Sequence, residues 1–147
     1  MAIGDTLSDD ENVIRALYVP HWDVANNRIC SSAFREQEVS VSRTSILNYD
    51  KIIEIFKSDL EQPLNNGAIR KIHATAELNV GDIHSLNNDN TNPVKLKVIE
   101  DPTDENVNLC KNIAHALIQG MDKNNQPKAM SKGMSNKLIK FCCVNSL

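Results

Sequence analysis

The feature that most constrains the fold is a strict alternation of apolar and polar residues along Ile69–Val80. A period of two places successive side chains on opposite faces of a strand, so this segment predicts a strand with one buried and one wet face. The buried face would carry the even-numbered residues Ile72, Ala74, Ala76, Leu78 and Val80. Its small alanines indicate that a helix packs closely on this strand.

A helix is predicted just before this strand. Ile46–Leu60 carries apolar residues at helical spacing along one side. Ser45 is expected to cap its start, and Pro63 blocks its continuation. Two shorter strands are predicted from the same alternation, over Glu38–Arg43 and Val94–Ile99.

The remaining patterned segments complete a mixed set of elements. Val13–Val19 is predicted to be a strand and Arg28–Phe34 a short extended piece. Asn106–Gly120 is predicted to be a short helix followed by a strand, and Ser131–Phe141 a terminal helix. We therefore expect the α+β class, with a mostly antiparallel mixed sheet and helices packed on one face.

The length of 147 residues fits one domain. Residues 1–12 are polar and acidic and are expected to form a flexible N-terminus, followed by a single domain over 13–147. The formal charge of −3 is too small to imply a nucleic-acid or membrane surface by itself. No apolar run is long enough to span a membrane and no signal peptide is apparent, so we expect a cytoplasmic protein without membrane association.

The four cysteines are expected to be reduced thiols. Cys30 and Cys110 stand alone in the sequence, and Cys142 and Cys143 are adjacent. None has the spacing typical of a zinc site. We therefore expect neither a metal nor a cofactor.

Two of the histidines are candidates for acid–base catalysis, which this side chain performs near neutral pH. His21 follows a predicted strand end, beside Trp22 in a loop, and functional residues tend to collect in loops. His115 lies between small alanines that would let a ligand approach. The structural alternatives are a surface histidine packed beside Trp22 and a buried, hydrogen-bonded His115.

Hydroxyl groups supply the candidate substrate-binding residues. Ser31 and Ser32 form a small cluster that could hold a phosphate. Arg43 ends a second hydroxyl-rich run before the predicted helix, where a helix N-terminus could bind an anion. The alternative is a strand edge followed by an ordinary N-cap. Neither a nucleophile elbow nor a phosphate-binding glycine loop is present.

These residues also carry a resemblance to a family of small bacterial proteins that has no assigned activity. The matching positions are His21, Ser32-Ala33-Phe34, Ser40-Val41 and His115-Ala116-Leu117-Ile118. This chain departs from the family pattern at Pro20, which precedes the first histidine instead of following it, and at Asn27, which replaces a glycine. The resemblance implies that the two histidines and the serine-alanine-phenylalanine segment belong to one site.

Two functional interpretations follow from the sequence. In the first, the protein binds or processes a nucleotide, RNA or another phosphate-containing molecule. His21 and His115 would be the acid–base pair, and the substrate would be held by Ser31, Ser32, Arg43 and Trp22. In the second, it is a non-catalytic module that binds a protein partner, such as a component of a bacterial defence or toxin-immunity system. A loop presumed to expose Trp22 motivates this second interpretation.

Overall fold

The computed structural model describes residues 4–61, 63, 66–89, 91–104 and 111–147. Its strands are β1 (Asn12–Tyr18), β2 (Trp22–Asp23), β3 (Arg28–Ile29), β4 (Glu38–Arg43), β5 (Ile72–Asn79), β6 (Lys95–Glu100), β7 (His115–Met121) and β8 (Cys143–Ser146). Its α-helices are α1 (Tyr49–Leu60), α2 (Val80–Ser85) and α3 (Lys132–Phe141). Six of the strands form one antiparallel sheet in the order β6–β7–β4–β1–β5–β8, while β2 and β3 pair separately. This confirms the α+β class.

Strand β1 is apolar on both of its faces, and this explains the layering. Val13 and Leu17 belong to the larger core, whereas Ile14 and Ala16 belong to a second, smaller core on the opposite face. Each face must be covered to remove its apolar surface from water. The larger core is covered by α2 and α3 and the smaller one by α1. The expectation that all helices pack on one face is therefore wrong.

The position of α1 also changes the environment of β5. Thr75 was expected on a wet face, yet its exposed fraction is 1%. The hydroxyl oxygen of Tyr49, the first residue of α1, lies 3.0 Å from Oγ1 of Thr75. The polar face of β5 is therefore partly buried because a helix lies across it.

Helix α1 begins three residues later than the sequence predicts. Its N-cap is Asn48, whose side-chain oxygen accepts from the backbone N–H of Lys51 at 2.9 Å. The predicted cap, Ser45, instead donates its hydroxyl to Glu11 at 2.7 Å. Residues 44–47 form a turn between β4 and the helix.

The two edges of the sheet differ. Along β6, the backbone N–H groups of Gly4 and Leu7 donate to carbonyl oxygens of Glu100 and Val98, and Leu7 is buried. Residues 4–12 are the described part of the N-terminus that was expected to be flexible. They are packed on the sheet, because the side chain of Leu7 joins the core. The other edge is β8, which the sequence does not predict and whose residues are all exposed.

Two further segments differ in detail from their sequence patterns. Arg28–Phe34 is extended at β3 and Cys30 and then forms a 3₁₀ turn over Ser31–Phe34. The strand expected at the end of Asn106–Gly120 is confirmed as β7. The helix expected before it falls largely on residues 105–110, which lie outside the described residues, as does Cys110. None of the described helices has the length and apolar character needed to cross a bilayer.

Candidate functional site

The candidate site lies where β1 and β4 separate. Their pairing is short and consists of Val13 with Arg43 and Ile14 with Ser42. The rest of β4 pairs with β7. Arg15, the next residue of β1, lies at the resulting fork.

The Arg15 side chain is held by two backbone carbonyl groups. Its Nε donates to the oxygen of Ala33 at 3.0 Å, and its Nη1 donates to the oxygen of Ser40 at 3.1 Å. The residue is only 5% exposed. The guanidinium group therefore links the 3₁₀ turn to β4 from within the protein.

The third nitrogen of this guanidinium group, Nη2, makes no hydrogen bond with the described residues. It is buried, and Oε1 of Glu36 lies 4.0 Å away. Burial lowers the pKa of Arg15 from its usual range, while Glu36 favours its charged form. Because arginine stays protonated in proteins, the site contains a buried cation with one donor unused. Buried polar groups are nearly always satisfied, so such a donor needs an explanation.

Arg15 lines a pocket of about 240 Å³. Helix α1 contributes an apolar wall of Ile55, Phe56 and Leu60, together with Asp59. The sheet and its loops contribute a polar wall of Arg15, Tyr18, Glu36, Ser40, Thr103, Asn112 and His115. Pockets for drug-sized ligands typically measure about 300–1,000 Å³, so this one fits a smaller molecule.

His115 brings a positioned imidazole ring to the pocket. Its Nδ1 lies 2.8 Å from the carbonyl oxygen of Asp101 and 3.0 Å from Oδ2 of the same residue. Both neighbours are acceptors, so in the neutral ring Nδ1 carries the hydrogen and Nε2 offers a lone pair. Nε2 has no hydrogen-bond partner among the described residues. A carboxylate that orients a histidine in this way is a common arrangement for a general base.

Asn112 shapes the wall beside this ring. Its side-chain nitrogen donates to Oγ of Ser42 at 3.1 Å, and its side-chain oxygen accepts from the N–H of Ala114 at 3.0 Å. Its backbone also exchanges two hydrogen bonds of 2.9 Å with Thr103. Asn112 thereby fixes the loop from which β7 and His115 begin.

His21 lies on the far side of Glu36 and does not line the pocket. Its Nδ1 is 3.2 Å from Oγ of Ser32, which itself donates to the carbonyl oxygen of Pro20 at 3.2 Å. The structure thus brings together His21 and Ser32, which the sequence analysis assigned to one site. Burial lowers the pKa of His21, as does the charge of Arg15, while Glu36 opposes them.

Three other predicted site residues lie elsewhere. Arg43 is not available to an anionic ligand in the predicted way, because Glu11 binds it at 2.8 and 3.0 Å and Glu100 lies 3.7 Å away. Trp22 is only 5% exposed and belongs to the larger core, so the loop does not expose it. Ser31 lines a separate depression, together with Arg28, Ile29, Cys30, Asp23, Lys132 and Asn136.

Sequence analysis did not single out Arg15, Glu36 or Asp101. Arg15 did carry a signal, because it is a charged residue in the middle of the apolar stretch Val13–Val19. Charged side chains are rarely buried unless they are paired with an opposite charge or have a functional role. Glu36 and Asp101 carried none, since each is a polar residue next to a strand end: Glu36 lies two residues before β4, and Asp101 directly follows β6.

In the described ranges, no group of three or more histidine, cysteine, aspartate or glutamate side chains is arranged to hold a metal ion. The chain matches no family model, and no curated protein or solved structure matches it. The geometry of the pocket is therefore the basis on which a function can be assigned.

Proposed function

We propose that the protein binds a small phosphate-bearing molecule in this pocket and transfers a proton to or from it through His115. The observation that carries the proposal is that buried Arg15, whose Nη2 has no hydrogen-bond partner among the described residues, lines the same pocket as the positioned ring of His115. A phosphate oxygen would satisfy this donor, and charge-assisted hydrogen bonds of this kind are among the stronger ones in proteins.

The pocket favours a phosphate monoester over a nucleotide or RNA. Glu36 and Asp59 also line it, and like charges would repel a chain of phosphates. The wall formed by Ile55, Phe56 and Leu60 suits an apolar body about the size of one ring. The substrate class expected from sequence is thereby narrowed to a small phosphate ester with an apolar group.

His115 is the residue we assign to proton transfer. Asp101 holds Nδ1, so Nε2 can accept a proton from the bound molecule or from a water beside it and return it later. His21 is not assigned this role because its ring does not line the pocket. We further propose a cytosolic location, which the free thiols of Cys30, Cys142 and Cys143 fit.

The binding proposal is tested with phenyl phosphate as the probe. We expect amide and arginine side-chain NMR signals of residues around the pocket to shift as phenyl phosphate is added, and ATP to bind more weakly. Arg15→Lys keeps the positive charge, but its single nitrogen cannot occupy the separate positions of Nε, Nη1 and Nη2, so the dissociation constant should rise by roughly tenfold or more.

The matched control is Arg28→Lys, at an exposed arginine outside the pocket. Its dissociation constant should equal that of the parent protein. Equal binding by the parent and by Arg15→Lys, with both folded, would show that Arg15 is not the anion site. Absence of binding to phenyl phosphate would remove the proposed function.

A second candidate function, protein binding, is favoured by β8 and no longer by Trp22. This edge strand is exposed along its whole length and carries no charged residue, and Val144 and Leu147 are 41% and 49% exposed. Unprotected edge strands can pair with an extended segment of another chain. Val144→Lys should abolish concentration-dependent association in sedimentation experiments; a parent protein that stays monomeric and captures no partner argues against this candidate.

A further inference from the structure

One carboxylate oxygen lies between two cationic or potentially cationic groups. Oε1 of Glu36 is 4.0 Å from Nη2 of Arg15 and 3.9 Å from Nε2 of His21. Both distances exceed those of a hydrogen bond. The Glu36 side chain is also 55% exposed, whereas those of Arg15 and His21 are 6% and 11% exposed. An exposed carboxylate thus lies within 4.0 Å of two buried side chains.

The surroundings of His21 make its protonation depend on this carboxylate. Ser32 contacts Nδ1, and the ring of Tyr18 lies 5.2 Å from the histidine ring. Burial, followed by the positive charges of Arg15 and Arg70, disfavours a proton on His21, and Glu36 is the group that favours one. Arg70 is itself placed over the Tyr18 ring, 4.5 Å from its centroid. Neutralising Arg15 or moving Glu36 closer would both promote protonation of His21.

We infer that Glu36 is an exchangeable counter-ion that couples anion binding at Arg15 to proton uptake by His21. An anion that binds Nη2 of Arg15 replaces Glu36 as the neutralising group. Glu36 then needs to move by only about 1 Å to reach hydrogen-bond distance from Nε2 of His21, and His21 takes a proton from solvent. This inference rests on the proposed function, because it requires an anion in the pocket.

The test uses phenyl sulfate, whose single negative charge stays constant between about pH 5 and pH 8, where histidine titrates. NMR titration of the histidine ring signals gives the pKa of each histidine with and without saturating phenyl sulfate. We expect the pKa of His21 to rise on binding. An unchanged or lower pKa of His21 in the complex overturns the inference.

Replacing Glu36 with glutamine tests whether its carboxylate is the group that the bound anion displaces from Arg15. In Glu36→Gln the rise of the His21 pKa should become smaller, and phenyl sulfate should bind roughly two- to fivefold more tightly because a competing carboxylate is gone. The matched control is Glu38→Gln, which removes an exposed carboxylate of β4 that does not line the pocket. A rise that is the same in Glu36→Gln as in the parent overturns the counter-ion role.

Proton uptake by His115 is the competing explanation, and His115→Gln separates the two. The inference expects the uptake assigned to His21 to persist in this variant and to disappear in His21→Gln. Binding without any change at His21 overturns the coupling but leaves the proposed function intact. Failure of both phenyl sulfate and phenyl phosphate to bind overturns both.

Discussion

Nδ1 of His115 lies 3.0 Å from Oδ2 of Asp101, and in the neutral ring this contact leaves Nε2 as the acceptor. His84 has a similar carboxylate contact, 2.8 Å between its Nδ1 and Oδ1 of Asp9. In His84, however, Nε2 accepts from the backbone N–H of Val98 at 3.2 Å. The two rings therefore share one interaction and differ in the availability of Nε2.

This difference predicts selective modification. The His115 and His84 side chains have nearly equal exposed fractions, 19% and 18%, so accessibility alone would not distinguish them. Diethyl pyrocarbonate acylates an unprotonated, available imidazole nitrogen, so His115 should be modified faster than His84. Peptide mass spectrometry gives both rates, and phenyl phosphate should slow the reaction of His115 and leave that of His84 unchanged. Equal rates would contradict a free Nε2.

Arg15 should be required for stability as well as for binding. Arg15→Met removes the donors to Ala33 and Ser40, and an unsatisfied buried carbonyl group costs about 1–3 kcal/mol. Relief of the buried charge offsets part of this loss, so we expect a net decrease of about 1–3 kcal/mol in the free energy of unfolding. Urea unfolding measures it. Arg28→Met, at a side chain 73% exposed, should change the same quantity by less than about 0.5 kcal/mol; equal effects would contradict the bridging role.

The depressed pKa of His21 predicts a pH dependence of stability. Burial, then the charge of Arg15, lowers this pKa below 6.5 in the folded protein. The unfolded chain therefore binds the proton at a higher pH than the folded chain does. The free energy of unfolding should fall as the pH decreases below about 6.5, with a slope of at most about 1.4 kcal/mol per pH unit, and level off below the folded pKa. Urea unfolding of the parent and His21→Gln across this range should show a shallower slope in the variant; identical slopes would exclude His21 as the source.

Gly120 of β7 should not tolerate a side chain. A Cβ atom there would overlap the backbone carbonyl oxygen of Lys128 and lie 3.0 Å from Cγ1 of Val94. Because the backbone must shift, Gly120→Ala should lower the free energy of unfolding by about 1–3 kcal/mol in thermal or urea unfolding. In Gly133→Ala the nearest neighbour, Oγ of Ser131, is 3.8 Å away, so a gain of about 0.5–1 kcal/mol is expected for this α3 position. A loss of similar size in both variants would contradict the steric explanation.

Local periodicity predicted most of the elements but not their layering. The strand predicted at Glu38–Arg43 coincides with β4, and α3 begins one residue after the predicted Ser131. The two-faced apolar character of β1 was visible in the sequence and indicates a strand covered on both sides. Strand β8 could not be predicted, because its four exposed residues become a strand only by pairing with β5.

The site was less predictable because its chemistry depends on contacts between distant segments. The sequence suggested that His21 and Ser32 belong to one site, and Nδ1 of His21 does lie 3.2 Å from Oγ of Ser32. Arg43 was a reasonable anion ligand until Glu11, 32 residues away, proved to be its partner. Arg15 could be recognised as unusual, but only the structure shows that two of its nitrogens are occupied and one is not.

The fork between β1 and β4 has a consequence for comparing this chain with others. Arg15 joins the separated strands through the carbonyl groups of Ala33 and Ser40, so selection for a folded sheet alone would retain an arginine there. A relative that had lost all affinity for ligands would still be expected to keep it. The pairing of His115 with Asp101 is the better marker of a working pocket, since no described backbone group depends on Nε2 of that ring.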